Sequence, residues 1–374
     1  MGNKYFDNVQ KNFGFGCMRL PMKGKEVDYE ETCKMIDTFL ENGFNYFDTA
    51  HGYIGGKSET ALRDCLVKRH PREDYILVNK LTTYYFEKEE EIRLLFESQL
   101  EACGEDYFDF YLLHAQNTEF FEKYKKCRAY EIAFELKKEG KVKHVGISFH
   151  DKAEVLDQIL TEYPDIEVVQ IQFNYVDYDD VGIEARKCYE VCVKHDKPVI
   201  VMEPVKGGGL VNLPEAAQKV FDELHGGSYA SYAIRFAASF DNVMMVLSGM
   251  SNMEQMEDNI SYMKDFKPLT EEELEAVWKV CEIFKSQGLI PCTACKYCMD
   301  VCPKKIGIPD LFADMNSKAI HQNWNSSWYY EIHTQGGRKA SDCIKCGRCE
   351  TVCPQHLKIR ELLVDVAEAF EGEQ

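Results

Sequence analysis

Between residues 10 and 262 the chain repeats one alternation, a short and nearly continuous apolar run followed by a longer stretch of helical periodicity. FGFGCMRL, NYFDTA, YILVNKL, FDFYLLH, VKHVGIS, VVQIQFN, KPVIVMEP and VMMVLSG read as buried strands. Between them, YEETCKMIDTFLENG, SETALRDCLVKRH and KEEEIRLLFESQLEACG read as amphipathic helices, the first ending on the stop signal Asn42-Gly43. Eight strands alternating with helices over about 250 residues is the count of a closed (β/α)8 TIM barrel, an α/β architecture. A doubly wound sheet is the alternative. It would want G-x-G-x-x-G between the first strand and helix, whereas GFGCMR carries Arg at the last place and no helix follows at once. The expected organisation is a barrel over 1–262, a helical connector over 263–290 containing TEEELEAVWKVCEIFKSQG, and a small tail over 291–374.

The tail has a pattern of its own. CTACKYCMDVCP (Cys292–Pro303) and CIKCGRCETVCP (Cys343–Pro354) spell C-x2-C-x2-C-x3-C-P twice. A disulfide framework fits poorly, since nothing marks the chain as secreted. Zinc sites usually pair C-x2-C with a long gap before the next pair. Three cysteines at x2 spacing and a fourth before proline suit a cubane whose iron corners need separate thiolates, the spacing of bacterial two-cluster ferredoxins. In that arrangement the fourth cysteine of each run ligates the other cluster. Two 4Fe–4S clusters are therefore expected: one on Cys292, Cys295, Cys298 and Cys353, the other on Cys343, Cys346, Cys349 and Cys302. The crossing would tie the two ends of the tail together. The segment between the runs is longer than a minimal ferredoxin loop. Its Trp324, Trp328, Tyr329 and Tyr330 read equally as anchors on the neighbouring domain and as a local aromatic cluster.

Composition narrows the partners. The 374 residues are 45% hydrophobic, enough for a barrel core and a smaller unit. The formal charge of −19 argues against nucleic acid, which wants clustered Lys and Arg, and leaves room for a redox partner protein with a basic docking face. No apolar run reaches the ~18 residues of a membrane span. MGNKYFDNVQ has no signal-peptide core, and Asp7 stands where a myristoylation signal wants Ser or Thr. The other eight cysteines (Cys17, Cys33, Cys65, Cys103, Cys127, Cys188, Cys192 and Cys281) sit mostly in apolar helical patterns. They read as buried small hydrophobes in a reducing compartment, so the cytoplasm is the expected location.

In a barrel, chemistry gathers where strands end. Asp48 closes the second strand, Tyr53 follows in HGYIGGKSE, Lys80 closes the third strand and His114 the fourth. Singly each has a dull explanation: a helix cap, a solvated strand end, a satisfied half-buried polar group. Together they can reduce a carbonyl. A Tyr hydroxyl donates the proton, a neighbouring ammonium lowers its ordinary pKa of ~10, a carboxylate fixes the ammonium, and an imidazole orients the substrate oxygen.

FGFGCMRLP, NYFDTAHGY, GKSE, LVNKL, YLLH and VGIS, in this order over roughly 10–262, resemble the aldo-keto reductase superfamily. The tail resembles the ferredoxin domain fused to one branch of it. The resemblance implies that Asp48, Tyr53, Lys80 and His114 form the catalytic tetrad with Tyr53 as general acid, and that a nicotinamide cofactor lies across the barrel mouth. It also implies nicotinamide contacts from Gln170 and Ser148, although Phe149 replaces the usual Asn. Met202 stands where an aromatic ring usually stacks on the nicotinamide. In SGMSNMEQMEDN, Gly249, Ser251, Gln255 and Asn259 fall where the superfamily binds the adenosine phosphate, with Gln255 replacing a frequent Arg. No Lys or Arg lies in that stretch to meet the extra phosphate of NADPH, so NADH is slightly favoured. The glycines 207–209 follow the seventh strand, where barrel loops often contact phosphate. Tyr84, Tyr85 and Phe86, just past Lys80, are candidates to line a pocket for an apolar or ring-bearing substrate.

Hydride carries two electrons and a cubane passes one, and converting between them usually needs a flavin, for which no signature is present. Three functions are compatible with the residues. One is an NAD(P)H-dependent reductase of a small carbonyl (or oxidant of the alcohol) whose clusters exchange electrons with an external carrier. The second is a reductase whose clusters feed a substrate in the barrel without nicotinamide. The third is a binding module with structural clusters, against which the intact tetrad speaks.

Overall fold

The computed structural model describes residues 4–180, 183–224, 226–286, 288–321, 325–334 and 337–372. Eight parallel strands close into a barrel: β1 (Phe13–Gly16), β2 (Tyr46–Asp48), β3 (Ile76–Leu81), β4 (Phe108–Gln116), β5 (Val142–Phe149), β6 (Val168–Gln172), β7 (Val199–Met202) and β8 (Val243–Ser248), with β1 paired to both β2 and β8. Each apolar run of the sequence supplies one strand, and closure excludes the doubly wound alternative. Helices Tyr29–Glu41 and Glu89–Cys103 form where the periodicity places them, the first capped by Asp28 accepting from the Glu31 amide. SETALRDCLVKRH begins as a helix at Lys57–Leu62 and widens into a π turn at Arg63–Val67.

Strand side chains alternate between faces, so one residue in two points into the barrel. Tyr46, Ile76, Val78, Phe110, Leu112, Val168, Ile200, Met245 and Leu247 fill it together, with Tyr5 and Phe6 packed against them. Two glycines share this inward frame because there is no room for more. A Cβ on Gly146 would lie 2.5 Å from the Val168 side chain and 2.7 Å from Leu112, and one on Gly14 2.8 Å from Leu247.

The chain divides into two compact units that interleave in sequence. One is the barrel. The other takes the chain from Glu271 onward and also Val205–Tyr229, the excursion after β7. Within this second unit the helices Glu215–Asp222 and Glu271–Ser286 pack together, burying Ala217, Phe221, Val277 and Val280. The connector helix and the β7 excursion thus group with the tail. Tyr330 packs within the tail, as the local reading expects: it stacks on Phe370 with centroids 4.5 Å apart, and its hydroxyl donates to Glu371 and accepts from the Ala340 amide. Trp324 and the side chains of Trp328 and Tyr329 lie outside the described residues. Among the described residues no helix is long and apolar enough to cross a membrane.

Candidate active site

The inward frame that fills the barrel continues to its rim, where the same positions turn polar. Two residues past Tyr46 comes Asp48, past Val78 comes Lys80, past Leu112 comes His114, past Val168 comes Gln170 and past Ile200 comes Met202. Lys80 and Asp48 are almost fully buried, and the Lys80 ammonium donates to Asp48 at 2.6 Å and to the Thr49 carbonyl at 2.8 Å. The ammonium lies 5.0 Å from the centre of the Tyr53 ring, which meets the His114 ring edge-on at 6.1 Å. The four candidate residues therefore form one cluster. Beneath it, Asn79 donates to Glu59 (2.8 Å) and accepts from the Lys80 amide, and Gln99 bridges Asn79 and the Lys80 carbonyl while accepting from Tyr111. This fully buried polar net fixes the β3 backbone, and with it the direction of Lys80.

The electrostatics depart from expectation at Tyr53. Burial pushes its phenol well above the ordinary value, and the carboxylates of Asp48 and Glu203 and the Cys17 thiol push it further. The neighbouring amine does not reverse this, because Lys80 is itself pushed down by burial and is tied to Asp48. The phenol is thus held protonated, not made more acidic. Burial raises Asp48 and lowers Lys80, opposed in both by their mutual attraction. Burial, then Lys80 and His150, lowers His114 well below the usual histidine range, so its imidazole is neutral. Its Nδ1 is 2.7 Å from the Thr82 hydroxyl. With Thr82 donating, Nε2 carries the proton and can donate to a substrate oxygen.

Gln170 and Ser148 are cross-strand neighbours on β6 and β5. The Ser148 hydroxyl accepts from the Ala115 amide at 2.8 Å and keeps its own proton to donate. The Gln170 Oε1 is buried with no hydrogen-bond partner. A donor beside an orphaned acceptor complements a carboxamide, so this pair fits a nicotinamide amide. Met202 is half-buried at the end of β7.

The segment after β8 is more committed. Ser251 donates its hydroxyl to the Arg19 carbonyl and its amide to Gln255 Oε1, and Asn252 caps the helix Met253–Met263. Asn259 is buried, donating to Ser248 and accepting from Tyr262. Its side chain serves the fold. Gly249 is exposed, and a Cβ there would lie 3.2 Å from the Arg19 side chain. The aliphatic stem of Arg19 therefore lies beside a segment that has no cation in its own sequence.

Phe86 is buried against Tyr124, whereas Tyr84 and Tyr85 are exposed. Gly207 is closely packed within the second unit. At φ +63° it lies so close to the Thr293 carbonyl that a Cβ would come within 2.2 Å.

The cysteine runs are one backbone written twice, 51 residues apart from Cys292 to Cys343. Left-handed residues recur at equal offsets: Ala294, Lys296 and Lys305 in the first copy, Lys345, Gly347 and His356 in the second. Short helices start at Tyr297 and Arg348, and long ones at Ile308 and Ile359. The Ala294 amide donates to the Cys292 sulfur at 3.5 Å, and the Lys345 amide to Cys343 at 3.4 Å. All sixteen cysteines are free of disulfides, and of the eight outside the runs only Cys33 is not buried. Cys292, Cys295, Cys298 and Cys353 line one recess with Ile308, Phe312 and Leu357. Burial raises the Cys298 thiol, and the sulfurs of Cys295, Cys292 and Cys353 add to it. Burial raises Cys349 to about 11, aided by Glu350, Cys343 and Cys302. Each triplet thus has the other run's last cysteine beside it. A single ion needs its ligands within about 2.3 Å of one centre, and among the described residues no three His, Cys, Asp or Glu side chains are so gathered. Four thiols spaced around a recess, with amides aimed at sulfur, fit a cubane, which these cysteines would hold and which would carry single electrons.

Residues 12–282 match the model of the Aldo/keto reductase family. The chain belongs to the aldo/keto reductase family. Residues 291–358 match a 4Fe-4S dicluster domain. This aldo/keto reductase is similar to the uncharacterized oxidoreductase YqkF of Bacillus subtilis, at 26% identity over 71% of this chain and 90% of the relative. It is also similar to the NADH-specific methylglyoxal reductase of Escherichia coli, at 29% identity over 38% of this chain and 48% of that one. The holo form of an aldo-keto reductase from Bacillus halodurans superposes with TM-score 0.59 at 26% identity, over 75% of this chain and 95% of that one. An aldo/keto reductase from Klebsiella pneumoniae in complex with NADP and acetate shares the fold, with TM-score 0.59 at 18% identity over 73% and 91% of the two chains.

Sequence reasoning about this aldo/keto reductase missed Thr82, Asn79, Gln99 and Arg19. Asn79 precedes Lys80 at an outward position of the quoted strand, and Thr82 lies one inward step past Lys80 at its exit, so following both faces of the strand would have found them. Arg19 lay in the quoted FGFGCMRLP, but only closure of β1 on β8 brings it to Gly249.

Proposed function

We propose that this chain reduces a small-molecule carbonyl, or oxidises the corresponding alcohol, with NADH or NADPH, and that its clusters exchange electrons one at a time with an external carrier. Bound nicotinamide supplies the hydride to the carbonyl carbon. Tyr53 gives its proton to the carbonyl oxygen, and His114 donates to the same oxygen and orients it. Lys80, held by Asp48, offsets the charge that forms on Tyr53 as its proton leaves. The observation that supports this reading is the polar continuation of the barrel's inward frame, in which Asp48, Lys80, His114 and Gln170 follow core residues at the strand ends. The lack of a cation between Ser248 and Asn259 favours NADH, and Arg19 offers a charge for the phosphates of either nucleotide. This reading places the chain in a reducing compartment such as the cytoplasm.

The internal commitments of Asn259 and Gln255 support a second reading, in which the clusters feed a barrel-bound substrate and nicotinamide is dispensable. Anaerobic titration of the iron-loaded protein with NADH and NADPH, followed by EPR, separates them. Reduction of the clusters by nucleotide supports the coupled reading. Absence of binding by either nucleotide overturns it in favour of the second.

A further inference from the structure

Because the two cysteine runs share one backbone, position-by-position comparison isolates what differs around them. The first run is covered at Thr293. Thr293 is 1% exposed, with Gly207 against its carbonyl, and Lys206 donates to Gln355 at 2.9 Å. At the position of Thr293 the second run carries Ile344, 57% exposed. At the position of half-buried Cys295 it carries the exposed Cys346. No segment plays for the second run the part that Val205–Gly209 plays for the first among the described residues.

Charge differs at the same positions. Ala294 and Tyr297 of the first run become Lys345 and Arg348 in the second. Gln355 and His356 follow Cys353, which sits with the first triplet; their counterparts after Cys302, which sits with the second, are Lys304 and Lys305. All four of these cations are exposed. The carboxylates nearby in sequence are partly engaged: Glu350 with Arg360 at 2.8 Å, and Asp342 with the Lys339 amide. A chain of net charge −19 therefore carries four exposed cations within three residues in sequence of these cysteines, together with an exposed isoleucine and the exposed Cys346. This reverses the expectation that the partner must be basic.

We propose that the set Cys343, Cys346, Cys349 and Cys302 is the electron port, and that an electron-carrier protein with an acidic face docks there, through the exposed Ile344 and the exposed cations Lys345, Arg348, Lys304 and Lys305 that flank these cysteines in sequence. This rests on the reading that the clusters exchange electrons externally. In each transfer one electron leaves the reduced protein and one enters the carrier, with no bond made and no proton moved. Opposite charge at the rim steers encounter, and the steering weakens as salt shortens its reach to about 10 Å at 0.1 M. The apolar centre supplies the short-range contact.

The test uses the full iron-loaded chain, reduced with dithionite and mixed in a stopped-flow cell with an oxidised acidic two-cluster ferredoxin as probe. A small neutral quinone serves as reference oxidant. The wild type should transfer electrons at a rate that falls steeply with salt. The double variant Lys345→Glu/Arg348→Glu should lower the carrier-to-quinone rate ratio about tenfold or more at low salt and flatten its salt dependence. Lys304→Glu/Lys305→Glu does the same from outside the second run, and covers the case in which the first pair loses iron. Lys296→Glu, on the covered run, should keep the wild-type ratio. The proposal is overturned if both iron-replete double variants keep the wild-type ratio and salt slope, if Lys296→Glu is the variant that loses them, or if wild-type transfer is independent of salt. Failure of NADH to reduce the clusters would sink the coupled function alone, since dithionite bypasses the barrel.

Discussion

Tyr53 holds its proton more tightly than a free phenol does, and that sets the direction and pH profile of the chemistry. Carbonyl reduction consumes the protonated form, which dominates at every pH below the raised pKa. Alcohol oxidation needs the phenolate, whose fraction grows tenfold per pH unit below that pKa. Initial rates should therefore show reduction level from pH 6 to about 9, and oxidation climbing with a slope near one past the ordinary phenol pKa of ~10 without a break. Tyr53→Phe should cost both directions about 10²–10⁴-fold while leaving iron content unchanged, and survival of activity would remove Tyr53 as the acid. Gln170 offers a second check at this scale. Its Oε1 is buried and unpaired, a state that costs about 1–3 kcal/mol unless a ligand completes it. Gln170→Leu should weaken nucleotide binding about tenfold, roughly 1.4 kcal/mol, in fluorescence titration, without lowering the melting temperature.

At the level of elements, the rim was legible because a strand's period of two does not stop where the core does. Asp48, Lys80 and His114 lie one inward step beyond Tyr46, Val78 and Leu112, so their convergence follows once the apolar runs are taken as strands of a closed barrel. What no local pattern encodes is contact between distant segments. Arg19 reaches Gly249, and Lys206 reaches Gln355, 149 residues away. Glycines 207–209 read as a phosphate loop, and no local signal reveals Thr293 against Gly207. Electrostatic sign was equally hidden, since an amine near a phenol lowers its pKa only if burial does not outweigh it. Two substitutions probe these elements. Gly207→Ala combines a left-handed backbone with a backbone overlap at 2.2 Å, and chemical denaturation should show a loss of at least about 2 kcal/mol in the iron-binding unit. Cys353→Ser should damage the cluster of Cys292, Cys295 and Cys298 and spare the other, read by EPR and iron counting. Damage confined to the second cluster would refute the crossed assignment.

For the molecule as a whole, the boundary that matters is not a point in the sequence. Leu210, Leu213, Ala217 and Phe221, in the excursion after β7, are buried in a unit whose larger part begins at Glu271. A chain stopped after Thr270 strips them of the helix Glu271–Ser286, and each Phe or Leu so exposed forfeits about 1.5–3 kcal/mol. A chain ending at residue 290 should elute as a monodisperse species in size exclusion, while one ending at 270 should aggregate. The duplicated tail carries a different consequence. Under the proposed crossing, in which each triplet takes its last thiolate from the opposite copy, filling either site would pin the far end of both repeats and pre-arrange the vacant one. Iron uptake should then run close to all-or-none, with apo and fully loaded molecules coexisting and singly occupied ones scarce, so that metal supply would set how many molecules are competent, not how well each one works.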